Sequence, residues 1–296
     1  MEQFIMNNCK IANELRKYRD LTGCVNRAVL SDDQKNYVEY VITRELSYMD
    51  MVTANAVYSL WRSGEGENGF RAETIGQIMA GDMDRRLRPE KQDEIEARLQ
   101  RLAATELYIL ADHDQQAMQE VYEGAFLPLT WEAGRSRLRF RFREGGQMPL
   151  YQYAEERNQL IRIPVSLLRD DETLGQARLN NNDRTLLLRH YLLQELEIVR
   201  YPGNRIDERE VRLLKRDEAG NEYGLLWVLG LAGEGKSPAA EARRAQQTVD
   251  QLLDNWRKSG YVTQEQYQPL PEEKGYGVLL LNGDNTEKKR NKKRKK

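Results

Sequence analysis

Cysteine and histidine are nearly absent from this chain, and long apolar runs are missing altogether. Of its 296 residues two are Cys (Cys9, Cys24) and two are His (His113, His190). That inventory cannot assemble a Cys/His zinc centre at the usual ligand spacings, nor a Cys/His catalytic pair. No signal-like segment precedes the cysteines, so free thiols in a reducing cytoplasm are expected rather than a Cys9–Cys24 disulfide. No stretch approaches the ~20 apolar residues that span a bilayer, which predicts a cytoplasmic protein with no membrane contact. An excess of one charge sign is lacking too: the formal net charge is −1, although 31% of residues are charged. Its distribution is uneven. Residues 287–296 hold eight lysines and arginines against one glutamate, leaving 38 basic and 46 acidic residues in 1–286, a net −8. Any affinity for nucleic acid must therefore come from local basic patches.

The densest patch inside the acidic body is Arg135-Ser-Arg137-Leu-Arg139-Phe-Arg141-Phe-Arg143. Arginine recurs here at every second position, which is the strand period. Residues 124–132 alternate as well, and Ala133-Gly134 fits a two-residue hairpin loop. Pairing the arms around that loop sets Trp131 opposite Ser136, Leu129 opposite Leu138, Leu127 opposite Phe140 and Ala125 opposite Phe142. One face is then apolar throughout. The other carries five guanidinium groups, with Glu132 the sole acid on its partner strand. Such a face, ~27 Å long at ~3.3 Å per residue, needs anions from elsewhere. A nucleic-acid backbone is a common supplier; acids from another element of the fold are the alternative.

Helical signals fall in order ahead of this hairpin. Met49, Val52, Ala56 and Leu60 share one side of a helix that begins at Tyr48 and ends in the glycines of 64–69. Phe70 starts a short extended piece, and residues 72–80 form a compact helix stopped by Gly81-Asp82. Pro89, with Glu90 behind it, opens the next helix, which runs through Ile95, Leu99, Leu102 and Ala103 into the apolar strand 107–110. Residues 48–143 thus read helix, short strand, helix, helix, strand, hairpin, which is the winged-helix order. Before them, residues 5–18 are predicted as a short helix and 37–42 as a strand. After them, 149–153 and 160–168 read as strand-like pieces of a connector. Asn180 to Asp183 supply a cap for a helix over 184–199. Residues 218–221 fit a hairpin tip, and 225–229 fit a strand or a short helix.

The amphipathic helix 239–258 places Ala242, Ala245, Val249, Leu252, Leu253 and Trp256 on one face, and strands are predicted at 261–263 and 276–281. The expected fold is α+β and helix-rich: two winged-helix-like units in tandem, with a β-hairpin wing in each. The expected domains are an N-terminal arm (1–46), a first unit with the arginine hairpin (47–165), a second unit (166–282) and a basic disordered tail (283–296).

Within that frame, Arg243, Arg244, Gln246 and Gln247 leave the apolar face near the start of the helix 239–258. Recognition helices contact base edges with their N-terminal residues, and Arg and Gln read guanine and adenine bidentately; a solvated face is the plain alternative, because Asp250 and Asp254 follow. The matching helix of the first unit mixes Arg98 and Arg101 with Asp93, Glu94 and Glu96, which predicts a poor groove reader. The tail, with Lys288, Lys289 and Arg290, has no apolar residue and would act as a phosphate tether. A competing motif is Gly230-Leu-Ala-Gly-Glu-Gly235-Lys236-Ser237, which matches the phosphate-cradling pattern G-x-x-x-x-G-K-[ST]. Only 59 residues follow Ser237, too few for the parallel sheet that such a loop requires, so no cofactor is expected. His190 and the tryptophans Trp61, Trp131, Trp227 and Trp256 fit core positions. Neither a metal site nor a catalytic pair is found, and an enzyme is not expected.

Taken with the tandem order, the segments 51–61, 75–82, 149–168, 185–193 and 248–262 resemble the plasmid-type replication initiators over about half of the chain. The resemblance implies two winged-helix units that bind repeated origin sequences, one of them often serving in dimerisation. The expected function is sequence-specific binding of double-stranded DNA by a replication initiator of a plasmid or other bacterial mobile element. A homodimer and replication proteins are further candidate partners. The alternatives are a winged-helix protein-interaction module or transcriptional repressor, including a phage-borne inhibitor, and third a phosphate-loop nucleotide-binding enzyme.

Overall fold

Ser47 fixes where the first long helix starts. Its Oγ accepts the Asp50 N–H at 3.2 Å, while its own N–H donates to Asp50 Oδ2 at 2.8 Å, and Gly64 ends the helix at φ 74°. In the computed structural model, which describes residues 2–6, 11–12, 26–33, 36–111, 118–200, 207–216, 222–232, 237–271 and 274–282, this helix is α1 (Tyr48–Ser63). Sequence periodicity assigns it one apolar side, yet every residue from Tyr48 to Leu60 is buried. A helix buried on every side along most of its length belongs at the centre of its unit. The chain divides into two compact units, Met1–Leu168 and Arg169–Lys296.

Around α1, the first unit places α2 (Ala72–Ala80) and α3 (Pro89–Ala103), both packed on α1. A four-stranded antiparallel sheet follows, in the order β2 (Asn26–Asp33), β3 (Asn36–Ile42), β4 (Glu106–Leu110), β5 (Val121–Ala125). Its inner row, Tyr40 beside Ile109 beside Tyr122, is buried under α4 (Pro149–Glu156), where Tyr153 meets Tyr122 edge to face with ring centroids 5.4 Å apart. The hairpin β6 (Leu129–Ala133)–β7 (Leu138–Phe142) is separate from that sheet. It is extended by one bridge, in which Phe70 and Phe140 exchange both backbone bonds at 2.8 and 2.9 Å. Gly69 makes the bridge feasible: at φ 86°, a Cβ there would stand 2.9 Å from the Phe140 carbonyl oxygen.

The second unit repeats this order. Helix α5 (Asp183–Arg200) leads into β9 (Glu208–Arg212), then a short pair, β10 (Lys215–Arg216) with β11 (Glu222–Tyr223), then α6 (Leu225–Val228), the long α7 (Pro238–Lys258), and the strands β12 (Tyr267–Pro269) and β13 (Gly277–Leu281). The sheet order is β12-β13-β9. Gly277 stands at φ 153°, where a Cβ would lie 2.2 Å from the Val211 carbonyl oxygen. Helices α5 and α7 pack on each other and on β13, burying Leu188, Leu192, Val249 and Leu253 with Val278 and Leu280.

In both units the extended piece after the first long helix pairs with the second strand of a later hairpin, whose first strand lies on the far side: Phe70-β7-β6 and β9-β13-β12. The protein is therefore α+β, built of two winged-helix-like units.

Several expectations are corrected. Residues 1–46 are not a detached arm, because β2 and β3 complete the four-stranded sheet and β1 (Glu2–Met6) pairs with β8 (Leu160–Pro164). Ile5 and Met6 accordingly lie in a strand rather than a helix. Residues 149–153 belong to α4, because Pro149 takes the first helical position, where its missing N–H costs nothing. Residues 225–228 are helical. No strand forms at 261–263, where the chain turns into the 3-10 segment Gln264–Gln266 before β12. Trp61, Trp131 and Trp227 are 38–44% exposed, and only Trp256 is core. His190 is buried as expected. Residues 13–18, the tip 218–221 and the tail 283–296 lie outside the described residues.

Candidate nucleic-acid interface

The arginine hairpin forms, but in another register. Leu129 pairs with Phe142, Trp131 with Phe140, and Ala133 with Leu138, so the loop runs from Gly134 to Arg137 and the Gly134 N–H donates to Arg137 O at 3.0 Å. The shift is even, so no side chain changes face. Its cause lies upstream. The Phe126 N–H is taken by Thr105 O at 2.7 Å and Pro128 interrupts the extended run, so 121–125 joins β4 while β6 starts afresh at Leu129.

Arg139 and Arg141 then share an exposed face with Thr130 and Glu132, and Arg143 follows just past the strand. Arg139 donates to the Asn68 carbonyl at 2.5 Å, and Arg141 meets Glu132 at 3.0 Å. Arg137 is spent on α3, where it binds Asp93 and donates to Pro89 O at 3.2 Å. Among the described residues Arg135 and Arg143 have no acidic partner. The ladder of five thus becomes three arginines on one face, a fourth at the tip, and one clamp between wing and helix.

The opposite face is not apolar-packed from end to end. Leu129 and Phe140 are buried, Phe140 against Phe70, whereas Trp131 is 42% exposed toward the tip.

Helix α3 ties two of its arginines to Asp50 of α1. Arg98 Nε lies 3.4 Å from Asp50 Oδ1, Arg101 binds the same oxygen, and Asp50 is 1% exposed. Its exposed residues include Glu90, Asp93 and Glu94 along with Arg101. Sequence reasoning missed Arg86 and Arg88, exposed in the turn before Pro89. The run Arg85-Arg86-Leu87-Arg88 directly ahead of a helix start was the available signal.

In the second unit, α7 exposes Arg243, Arg244 and Gln247, with Gln246 half-buried. Arg244 donates to Glu241 Oε1 at 2.7 Å and Gln246 to Asp250 Oδ1 at 2.7 Å, whereas Arg243 and Gln247 have no acidic partner among the described residues. Glu241 is 3% exposed and also accepts from Arg184 at 2.5 Å. Burial alone would raise its carboxyl, but the hydrogen bond and charge of Arg184, then those of Arg244, outweigh it and hold it below the usual range.

An open cleft of about 750 Å³ runs beside α7, lined by Arg178, Asn180, Asn182, Arg184, Gln247 and Gln251 among others. Arg244 lines it too; sequence reasoning singled out Gln247 and Arg244 as site residues, and Asn180 and Asn182 only as part of a helix cap.

The phosphate-cradling motif lacks its strand. The apolar run before it is α6, ended by Gly230 at φ 73°, and Ser237 stands at the N-cap of α7. The sheet of this unit is antiparallel. Gly235, Lys236, and Lys288, Lys289 and Arg290 of the tail lie outside the described residues. No group of three or more His, Cys, Asp or Glu suited to a metal occurs among the described residues, and no helix there is long and apolar enough to cross a membrane.

Fold and surface together describe an α+β protein of two winged-helix-like units with basic and amide-rich side chains on their exposed elements. No protein-family model matches the chain, and no curated protein matches it. Among solved structures it is similar to the crystal structure of selenomethionine derivatives of RctB domains 2 and 3, at 11% identity over 89% of this chain and 92% of that one, with TM-score 0.38. It is likewise similar to a second structure of RctB domains 2–3, at 11% identity over 88% and 91% of the two chains, with TM-score 0.40.

Proposed function

We propose that the protein binds double-stranded DNA sequence-specifically, without enzymatic activity, as the replication initiator of a plasmid or other bacterial mobile element. One observation carries the reading. The helix–strand–helix–helix–hairpin order occurs twice, with an arginine face on the wing of the first unit and open Arg and Gln side chains on the long helix of the second. The wing grips phosphates, a sequence-independent contact, and α7 reads base edges through Arg243 and Gln247. Arg86 and Arg88 add charge in the first unit. Two DNA-binding units on one chain raise each other's effective concentration at adjacent sites, which suits repeated origin sequences.

The test is capture of fragmented plasmid and chromosomal DNA by the full chain, followed by sequencing. Repeated sites beside an A·T-rich stretch are the expected outcome. A single operator-like site upstream of a gene would instead make the protein a repressor, and absence of enrichment would remove sequence-specific binding.

A second reading has a specific observation in its favour. Trp131, exposed on the wing beside the arginines, would suit an acidic protein partner; capture of protein with no enriched DNA is its signature.

A further inference from the structure

The cleft beside α7 is built by a segment that no winged helix needs. Residues 169–182 lie before α5 and are fastened down by buried polar groups. Arg189 and Asp170, whose side chains are 3% and 9% exposed, meet at 2.9 Å. Asn255 of α7 donates to Asp170 Oδ1 at 3.0 Å and to Ala177 O at 2.8 Å, and accepts the Ala177 N–H at 2.8 Å. Gln176 donates to Asn255 O at 2.9 Å, and Asp170 Oδ2 accepts the Leu179 N–H at 2.9 Å. Buried hydrogen-bond networks of this kind rigidify what they hold. What they hold is the stretch Arg178-Leu-Asn180-Asn-Asn182, whose exposed side chains face Gln247 and Gln251 across the cleft.

The lining differs from a small-molecule pocket, which is enclosed and mainly apolar. Leu179 is the single apolar residue of this cleft, and one side is open. Amides with donor and acceptor on one group, beside arginine, match the polar, wet character of a DNA surface. Asn182 has its Oδ1 committed to the Thr185 N–H at 3.0 Å, which leaves its NH₂ for a ligand. Arg178 is the most exposed cation of the rim, at 85% side-chain accessibility, and its nearest carboxylate, Glu172, is 3.9 Å away.

We propose that residues 178–182 are a second DNA-reading element: the cleft seats one strand of a duplex docked on α7, Arg178 holding its phosphate and Asn180 and Asn182 its base edges. The inference rests on the DNA-binding reading above. It places sequence discrimination on both sides of the strand, with α7 on one side and a pre-ordered arm on the other.

The test uses the full chain, the duplex it enriches and a scrambled duplex. Arg178→Ala should weaken both duplexes alike and flatten the slope of log K against log salt by about 1. Asn180→Ala should lose about 5- to 150-fold on the enriched duplex and leave the scrambled one unchanged. Both residues are exposed, so melting temperatures should match wild type. If Gln247→Ala loses specific binding while both arm variants keep wild-type affinity and salt slope, the arm is not a reading element, though the DNA reading stands. Failure of the wild-type chain to bind either duplex would remove both.

Discussion

Asp50 has one oxygen on Ser47, where it completes the cap of α1, and the other on Arg98 and Arg101 of α3. The carboxylate is therefore an anchor between two helices as well as a cap. Asp50→Ala should destabilise the first unit by about 3–5 kcal/mol, because it removes the buried carboxylate that Arg98 and Arg101 share; urea titration measures it, and a loss under about 1 kcal/mol would reduce Asp50 to a simple cap. Half of this was legible in sequence. A serine three residues before an acid at a helix start can be read locally, whereas the arginines that share Asp50 lie about fifty positions away and carry no local mark. Glu241 makes a separate case. Its carboxyl is held below the usual range, so the stability it confers is present above the unfolded value, about 4.3, and is lost as pH falls through the lower folded value. The melting temperature of wild type should exceed that of Glu241→Gln at pH 6, and the gap should close below about pH 4. A gap that persists unchanged at pH 3 would show that packing, rather than charge, sets the difference.

At the scale of elements, the wing shows which features a sequence discloses. Alternation specifies faces, and Arg139 and Arg141 do face away from Phe140. Register is settled by competition for backbone partners, and the claim of Thr105 on Phe126 is a long-range fact invisible to a window of nine residues. The same limit hid α4, where aromatic alternation imitated a strand until Pro149 set a helix start. It also hid β9, whose charged sequence Glu-Arg-Glu-Val-Arg becomes a strand because β13 pairs with it. Partnering within the wing decides which arginines are useful to remove. Arg137 and Arg139 fasten the hairpin to α3 and to the turn before Phe70, whereas Arg141 and Arg143 only decorate its face. Replacing Arg141 and Arg143 together by Ala should weaken binding to every duplex and lower the salt slope by about 1–2, with stability changed by no more than about 0.5 kcal/mol. Unchanged affinity and slope in a folded variant would shift the wing to an acidic protein partner.

On the scale of the whole molecule, each unit closes its own sheets. Strands β1 and β8 and the Phe70 bridge lie within 1–168, and β9, β12 and β13 within 169–296. The two halves, made as separate polypeptides, should each melt in one cooperative transition by calorimetry; a half that binds a hydrophobic dye and melts without a transition would show that the division is not one of stability. Tandem order was legible because helix caps and apolar periods are local. The pairing of β1 with β8 was not, since its two strands are over 150 residues apart. That separation also sets a schedule. A ribosome adding ~5–20 residues per second takes about 8–30 s to travel from Met6 to Leu160. Helices α1 to α3, made of local contacts, can assemble within that interval, while β1 waits for its mate to be synthesised. The yield of folded protein should thus respond to the speed at which residues 7–159 are translated, a sensitivity that strand order imposes whatever the final stability.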